Sequence, residues 1–374
     1  MKPKLDRIPP AVITAADYGR LAVEHVPEPI RAYIDGGSGD ERTLAANTAA
    51  FAQRFLINRV LRDLAAGNTT TRVLGTPLAH PVMLAPVAHH GLVHDEAECA
   101  TAAGAAAADA LMIVSTLASR TLEDIAAASD GPQWFQLYWH DNRTRTMELA
   151  ERAARAGYGA LVFTADAPVA HVPERAVRAG FALPPELSPA NLPSTPAPPR
   201  TLEPGTSVVF QGFMADAPRW DDLAWLASQS PLPVLLKGVL HPDDAVRAID
   251  AGLAGVIVSN HGGRTLDRLP ASLDCLAAVR AAVGATTTVL LDGGIRRGSD
   301  VLIALALGAD AVLVGRPQIH ALAVAGALGV AHVVRLIREE LELAMALAGC
   351  ARIADIDAQA LFTPATGEEP RSTC

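Results

Sequence analysis

The chain has 374 residues, enough for two ordinary domains or for one large barrel of alternating strands and helices. Half of the residues are hydrophobic and 19% are charged, which is the composition of a folded protein rather than a disordered one. The formal net charge is -9 and no block of Lys and Arg occurs, which argues against a surface that binds nucleic acid or an anionic membrane.

The cysteines and the chain start bear on the cellular compartment. Cys99, Cys275, Cys350 and Cys374 lie far apart without C-x-x-C spacing, so the sequence predicts no metal site and no disulfide framework. The start, MKPKLDRIPPAV, lacks the apolar core of a signal peptide, and no run approaches the roughly 20 apolar residues of a membrane span. We therefore expect a cytoplasmic protein that does not insert into membranes.

Eight short runs rich in Val, Ile and Leu recur along the chain and predict buried strands. They are PVMLAPVA from Pro81, LMIVS from Leu111, WFQLY from Trp134, ALVFTAD from Ala160, PVLLKG from Pro233, GVIVSN from Gly255, TVLLDGG from Thr288 and AVLVGRP from Ala311. Helical patterns lie between them, for example at 144–157, 242–252 and 298–308, and several begin at Ser, Asp or Pro and end at Gly. This alternation predicts an α/β fold, a (β/α)8 TIM barrel.

Two further segments frame the predicted barrel. Residues 1–80 carry helical patterns such as EPIRAYIDGG and predict a helical cap within the same domain. The barrel is assigned to 81–360 and a C-terminal tail to 361–374. Residues 183–220, after the fourth strand, hold nine of the 27 prolines, and such a long connection inside a compact domain is usually a lid.

Polar residues follow every apolar run, at the strand ends where a barrel of this kind places its reactive groups. They are Ala88, His89 and His90, Ser115 and Thr116, Gln136 and Tyr138, Thr164 and Asp166, Lys237, residues 259–264, residues 292–297, and Gly315 and Arg316. One polar end could arise by chance, whereas eight in register predict a functional site.

Four of these ends suggest a chemistry, and each reading has a plainer alternative. His261 and Arg264 in VIVSNHGGRTLD could belong to a site, or the glycines could simply bend the chain. The ends DGGIRRGSD and GRPQ resemble a phosphate cradle with Arg296 and Arg316, or they are ordinary strand-to-helix turns. Lys237 closes an apolar strand and needs a partner, either a ring that becomes anionic on reduction or Asp166 or Asp292.

Taken together, SNHGGRTLD, FQLYW, LKGV, LDGGIRRGSDV and VGRP, with APVAHHGLVH and YIDGGSGDERTL upstream, resemble the FMN-dependent α-hydroxy acid oxidase and dehydrogenase family. The family includes glycolate and lactate oxidases and mandelate dehydrogenases, and the resemblance runs from about residue 18 to about residue 355. It implies FMN as the cofactor and the oxidation of a 2-hydroxy acid to a 2-oxo acid, with oxygen or another acceptor regenerating the flavin.

The resemblance also implies roles for individual residues. His261 would be the catalytic base, Asp166 would orient it, and Lys237 would stabilise the reduced flavin. Arg264 and Tyr33 would hold the substrate carboxylate, and Tyr138 would contact the substrate oxygen. The remaining residues would bind FMN: Pro86, Val87, Ala88, Ser115, Gln136, Thr164, Lys237 and Ser259 along the ring and ribityl chain, and Asp292, Gly293, Gly294, Ile295, Arg296, Gly315 and Arg316 at the ribityl and phosphate end.

The sequence departs from the family pattern at Pro173, where the family has a second arginine on the substrate carboxylate. Either Arg175 fills the vacant place, which we expect by a narrow margin, or the carboxylate is held less firmly and the natural substrate is not a simple small 2-hydroxy acid. Leu117, Val169 and Ala170 are small and apolar, which suits an apolar or aryl substrate side chain.

Two other functions compete with the oxidation of a free 2-hydroxy acid. A tailoring enzyme of the same fold would act on a larger or carrier-bound hydroxy substrate, and a flavin-binding protein would turn over little. The presence of His261, Tyr138, Arg264 and Asp166 disfavours the second of these. The resemblance further implies a homo-oligomer, a tetramer or an octamer, without nucleic acid or membrane partners.

Overall fold

Ten short strands are present in the computed structural model, which describes residues 1–140, 142–168, 172–192, 202–203 and 205–362. They are β1 (Thr71–Val73), β2 (Thr76–Leu78), β3 (Val82–Leu84), β4 (Met112–Ser115), β5 (Gln133–Leu137), β6 (Leu161–Thr164), β7 (Val234–Val239), β8 (Gly255–Val258), β9 (Thr288–Asp292) and β10 (Ala311–Val314). Strands β3 to β10 form a closed parallel barrel in chain order, in which β10 pairs with β3. The predicted TIM barrel is confirmed, and each of its strands lies within or overlaps a predicted apolar run.

Twelve helices are described around the strands. They are α1 (Ala15–His25), α2 (Glu28–Asp35), α3 (Arg42–Ala52), α4 (Ala97–Ala107), α5 (Leu122–Ala127), α6 (Arg143–Arg155), α7 (Glu174–Arg178), α8 (Trp220–Gln229), α9 (Pro242–Asp250), α10 (Ser272–Val283), α11 (Gly298–Ala306) and α12 (Arg316–Ala348). Short 3₁₀ turns lie at His90–Leu92, Pro185–Leu187, Ile353–Asp355 and Ala358–Ala360, and a π-helical turn lies at Val208–Phe213.

The barrel strands are buried on both faces, which explains why their sequences do not alternate between apolar and polar residues. One set of side chains fills the barrel interior around Trp134, with Met83, Ile113 and Leu313 in the same cluster. The opposite set, including Leu84 and Phe135, packs against the surrounding helices. The barrel is therefore a solid scaffold that holds the ends of its strands in fixed positions.

The segment before the barrel contains an element that the sequence did not predict. Strands β1 and β2 form an antiparallel hairpin, in which Val73 pairs with Thr76 across a tight turn. Val73 and Leu78 join the hydrophobic cluster inside the barrel. Helices α1 to α3 occupy the segment predicted to be a helical cap.

Helix α12 is long and apolar enough to span a membrane by length and composition alone. Its backbone departs from helical geometry at Ala325 and Gly326, so that it consists of two helices joined at a kink. It packs against α1, α4 and α11, and 61% of its most apolar window is buried inside the protein. These contacts are typical of a core helix.

Helix α4 approaches α12 so closely that only glycine fits at one position of the contact. A Cβ atom on Gly104 would lie 2.5 Å from the carbonyl oxygen of Ala327 and 2.7 Å from Cβ of Val330. Both distances are shorter than a normal van der Waals contact. The absence of a side chain at Gly104 therefore lets the two helices pack at this distance.

We expect Gly104→Ala to destabilise the protein, although alanine is the better helix former by about 1 kcal/mol. Overpacking in a rigid core costs about 1–3 kcal/mol, which outweighs that gain. Thermal unfolding should show a lower melting temperature for Gly104→Ala than for Ala107→Ser, a control on the exposed face of the same helix. An unchanged or higher melting temperature would mean that α12 shifts freely to accept the methyl group.

Candidate active site

A cavity of about 1050 Å³ lies at the carboxyl ends of the barrel strands. Most residues predicted to form the site line it: Tyr33, Pro86, Val87, Ala88, Ser115, Gln136, Tyr138, Thr164, Lys237, His261, Arg264, Asp292, Gly293, Gly294, Ile295, Arg296, Gly315 and Arg316. Ser259 and Asp166 lie directly behind this lining and contact Lys237 and His261, respectively. The strand ends therefore converge on one site, whereas Arg175 lies elsewhere.

His261 and Asp166 form a hydrogen-bonded pair across two neighbouring loops. The distance between His261 Nδ1 and Asp166 Oδ1 is 2.9 Å, and both side chains are mostly buried. Gly238 allows this approach, because a Cβ atom there would lie 2.5 Å from Cβ of Asp166. Since Nδ1 faces the carboxylate, Nε2 is the ring nitrogen available to take up a proton.

Asp166 is suited to stabilise a positive charge on the imidazole. Burial opposes its ionisation, but the charge of Lys237 and the hydrogen bond with His261 outweigh burial and hold the pKa of Asp166 below its ordinary value. The carboxylate therefore stays charged at neutral pH. A charged carboxylate at this position stabilises the imidazolium that forms when His261 accepts a proton.

Lys237 is fully buried at the end of β7 and has two partners. Its Nζ lies 3.1 Å from Asp292 Oδ2 and donates a hydrogen bond to Ser259 Oγ at 2.9 Å. Burial disfavours its charge, but Asp292 and Asp166 more than compensate and raise its pKa. The ion pair with Asp292 is thus present, and Lys237 also lines the cavity, so a fixed positive charge faces any ligand bound there.

Three arginines line the same cavity and repel one another. Burial, together with the charges of Arg264 and Arg296, lowers the pKa of Arg316 to about 9. Burial also lowers the pKa of Arg296. Such a concentration of buried positive charge favours anionic ligands such as a phosphate or a carboxylate.

Two of these arginines are held by the carboxyl end of α2. Arg264 Nη1 donates to the carbonyl oxygens of Tyr33, Ile34 and Gly36 at 2.7, 3.2 and 3.1 Å. Arg316 donates to the carbonyls of Ile34 and Gly36, and also to that of Gly262. These carbonyls carry the partial negative charge of the helix end, so the predicted cap segment fixes both guanidinium groups.

A chain of buried polar side chains crosses one wall of the cavity. Ser115 Oγ donates to Gln136 Oε1 at 3.2 Å, and Gln136 Nε2 donates to Thr164 Oγ1 at 3.1 Å. These three residues lie at or near the ends of consecutive strands. Ser115 pairs with Gln136 in the strand register, and the long amide side chain of Gln136 reaches Thr164, two positions beyond its register partner Val162. Hydrogen-bonding groups in such a row suit the polar edge of a planar heterocycle.

Two tyrosines and a phenylalanine, Tyr33, Tyr138 and Phe181, also line the cavity. Burial raises the pKa of Tyr138 to about 12, so its hydroxyl remains a donor at neutral pH. Tyr33 stacks on Phe181 with ring centroids 4.3 Å apart, and the guanidinium of Arg264 lies 5.0 Å from the centre of the Tyr33 ring. Tyr33 is therefore fixed beside Arg264, as the resemblance implied.

The expectation that Arg175 fills the place of the missing arginine is not supported by its position. Pro173 is buried and precedes α7, and the side chain of Arg175 on that helix points to the protein surface, where it pairs with Glu41. It is half exposed and is absent from the described residues that line the cavity. Val169 and Ala170, expected to shape the pocket, lie outside the described residues.

His89 and His90 differ in their surroundings. His90 is buried, its Nδ1 lies 2.8 Å from Thr101 Oγ1, and its backbone N–H donates to Glu98. His89 lines the cavity, and burial lowers the pKa of its imidazole, which disfavours the charged form. His90 is thus held by structural contacts, while His89 presents a neutral ring to the site.

The sequence did not single out several apolar residues that line the cavity. They come from the segment after β6 and include Val172, Phe181, Leu183, Leu192, Leu202, Val208 and Phe213. The proline content of residues 183–220 predicted a lid, but the sequence does not show which of its side chains face the cavity. Among the described residues, no group of three or more His, Cys, Asp or Glu could hold a metal ion.

The arrangement fits FMN. Gly293 and Gly294 have positive φ angles of 95° and 90°, leave no room for side chains against α3, and line the cavity together with Arg296 and Arg316, so a ligand can approach their backbone. These groups suit a phosphate, Lys237 suits a ring that gains negative charge, and the row from Ser115 to Thr164 suits the polar edge of the ring.

Comparison with known proteins agrees with this chemistry. The family model described as FMN-dependent dehydrogenase matches residues 22–363. An L-lactate oxidase of Alicycliphilus denitrificans is 54% identical over 94% of this chain and 96% of its own length. A 4-hydroxymandelate oxidase of Amycolatopsis orientalis is 43% identical over 90% of this chain and 95% of its own length.

Solved structures show the same relationship. A mandelate oxidase with (S)-2-phenylpropionate superposes with a TM-score of 0.84 at 42% identity, and the match covers 94% of this chain and 98% of that one. Both the predicted resemblance and the predicted cofactor are thereby confirmed. The chain belongs to the FMN-dependent dehydrogenase family, the α-hydroxy acid oxidases, and is an FMN-dependent oxidoreductase.

Proposed function

We propose that this enzyme oxidises 2-hydroxy acids with an apolar side chain to the corresponding 2-oxo acids and that oxygen reoxidises its flavin. The observation that carries the proposal is the His261–Asp166 pair, which lies in one cavity with Arg264 and the glycine-rich FMN cradle. A base, a carboxylate ligand and an electron acceptor are the three groups that this oxidation needs. The relationship to lactate, glycolate and hydroxymandelate oxidases supports the same reaction.

His261 performs the proton transfer in this proposal. Its Nε2 takes a proton from the substrate while Asp166 holds Nδ1 and stabilises the charged ring. Tyr138 stays protonated and donates a hydrogen bond to the substrate oxygen. Arg264 binds the substrate carboxylate and thereby fixes the orientation of the α-carbon.

The cofactor would be held by the groups that face the glycine-rich ends. Arg296 and Arg316 would bind its phosphate, and Lys237 would lie beside the ring. When bound, FMN supplies the acceptor for the two electrons that leave the substrate. Lys237 stays charged in its buried position, and this charge favours the gain of electrons nearby.

The apolar lining indicates the substrate class. Leu117, Val172, Phe181 and Leu183 line the cavity and offer carbon surface to a substrate side chain. Burying such a side chain yields about 25 cal/mol for each Å² removed from water. Pro173 leaves the carboxylate with Arg264 as its arginine ligand among the described residues, so we propose that apolar contact supplies part of the binding energy.

A substrate series tests the proposal directly. We expect anaerobic bleaching of the flavin with (S)-lactate, 2-hydroxy-4-methylpentanoate and mandelate, with kcat/KM rising with the apolar area of the side chain, and hydrogen peroxide on admission of air. Glycolate, which has no side chain, is the matched control and should react most slowly. Reduction by a 2-hydroxyacyl thioester but by none of the free acids would indicate the carrier-bound substrate instead.

The role of His261 predicts a loss of turnover without loss of cofactor. We expect His261→Ala to lower the rate of flavin reduction by about 10²- to 10⁴-fold, which is the usual contribution of a general base. The flavin content should remain that of the wild type, because the phosphate cradle is unchanged. His241→Ala removes an exposed histidine and serves as the control. Reduction of His261→Ala at the wild-type rate would place the base elsewhere.

The positions of Arg264 and Arg175 predict different effects on kcat/KM for the same substitution. We expect Arg264→Gln to raise KM and to lower kcat/KM by roughly 10- to 150-fold, as the loss of a hydrogen bond to a charged group does. Arg175→Gln, the same substitution at the surface pair with Glu41, should change kcat/KM by less than about five-fold, because exposed ion pairs contribute little. An equal loss of kcat/KM in Arg264→Gln and Arg175→Gln would show that Arg175 reaches the substrate during turnover.

A further inference from the structure

A reciprocal pair of buried amides joins the predicted cap to the loop that carries His261. Asn47 Nδ2 donates to Asn260 Oδ1 at 2.9 Å, and Asn260 Nδ2 donates to Asn47 Oδ1 at 2.8 Å. Asn47 lies on α3, and Asn260 is the second residue after β8 and directly precedes His261. Both residues are almost completely buried, with 2% and 0% of their surface exposed.

Asn260 holds the turn that presents the base. Its Oδ1 also accepts a hydrogen bond from the backbone N–H of Gly263 at 3.2 Å, and its Nδ2 also donates to the carbonyl of Pro270 at 3.0 Å. The turn contains three consecutive residues with positive φ, namely 56° at His261, 62° at Gly262 and 76° at Gly263. A histidine in this region of conformational space is strained and persists only when its surroundings hold it.

Asn47 also contacts the second functional loop of the site. A Cβ atom on Gly294 would lie 2.2 Å from the backbone carbonyl of Asn47, and one on Gly293 would lie 3.2 Å from its Oδ1. Helix α3 therefore packs directly against the glycine cradle through its backbone and against the His261 turn through its side chain. One residue of the cap contacts both halves of the active site.

Each side-chain oxygen and nitrogen of the amide pair has at least one partner. Asn47 Oδ1 accepts from Asn260 and from the backbone N–H of Ser272, and the backbone N–H of Asn260 donates to Ser272 Oγ. A buried polar group that loses its partner costs about 1–3 kcal/mol. Removal of one amide therefore leaves the other without its partner, directly beside the turn of three residues with positive φ that begins at His261.

We propose that Asn47 and Asn260 act together as positioning residues for His261, an inference that rests on the proposed function. Arg264 has its own support in the carbonyls of α2, so the amide pair controls the base rather than the carboxylate ligand. Loss of the pair lowers kcat and leaves KM nearly unchanged. A purely structural role would lower stability and leave both kinetic constants unchanged.

The experiment uses the FMN-loaded enzyme and the best substrate of the series. We expect Asn47→Ser to lower kcat by about 10- to 100-fold, because a displacement of about 1 Å at a reacting group has this effect. KM should change by less than about three-fold, and the flavin content should remain that of the wild type, since the backbone of α3 still contacts the cradle. Asn47→Asp keeps the side-chain shape and one acceptor oxygen of Asn47. This second variant is measured in the same way if Asn47→Ser does not fold.

Two comparisons separate positioning from stability. Thr43→Val removes a different buried hydrogen bond of α3, to the carbonyl of Leu269, and should lower the melting temperature without lowering kcat. The double variant Asn47→Ser/Asn260→Ser should be no slower than Asn260→Ser alone, because each amide acts through the other.

Three results would overturn the inference while leaving the proposed function intact. They are an unchanged kcat in Asn47→Ser, an equal loss of kcat in Thr43→Val, and kcat losses that multiply in the double variant. A wild-type enzyme that oxidises no 2-hydroxy acid would instead reject the proposed function itself, so the two failures can be told apart.

Discussion

The rest of the site depends on the concentration of positive charge at the carboxyl ends of the strands. Lys237, Arg264, Arg296 and Arg316 all line one partly enclosed cavity, and burial alone would disfavour every one of these charges. Asp292 and Asp166 stabilise Lys237, while the carbonyls at the end of α2 stabilise two of the arginines. The negative charges of an FMN phosphate and a substrate carboxylate would compensate the remaining positive charge. The cavity is therefore suited to anions although the whole chain is acidic.

The helices before the barrel belong to the catalytic site as much as the strand ends do. The carbonyls of α2 hold Arg264 and Arg316, and an amide of α3 holds the turn at His261. A barrel alone would present these side chains on glycine-rich loops, which tolerate many conformations. The contacts from α2 and α3 hold these loops in one conformation and thereby fix the position of His261 relative to Arg264.

The sequence predicted the barrel and most of the residues at the carboxyl ends of its strands, because both depend on local patterns. Each of the eight strands is a short apolar run, and the parallel register brings the residues after each run to one end. The hairpin of β1 and β2 was missed, since its short strands, TRV and TPL, do not belong to an apolar run. The pair Asn47–Asn260 was missed for another reason: its partners lie 213 positions apart, and the motif that contains Asn260 gives no indication of a contact with Asn47.

The same limit applies to Arg175, whose expected place in the cavity its position does not support. Its proximity in sequence to Pro173 suggested a substitute for the missing arginine, but its actual partner, Glu41, lies 134 positions earlier in the chain. Pro173 is buried close to Gly36, whose carbonyl accepts hydrogen bonds from Arg264 and Arg316. A proline at this position thus packs beside the turn that supports both guanidinium groups instead of adding a third cation there. Phe181 and Leu183 line the same cavity, so apolar surface and fixed positive charge lie side by side in it.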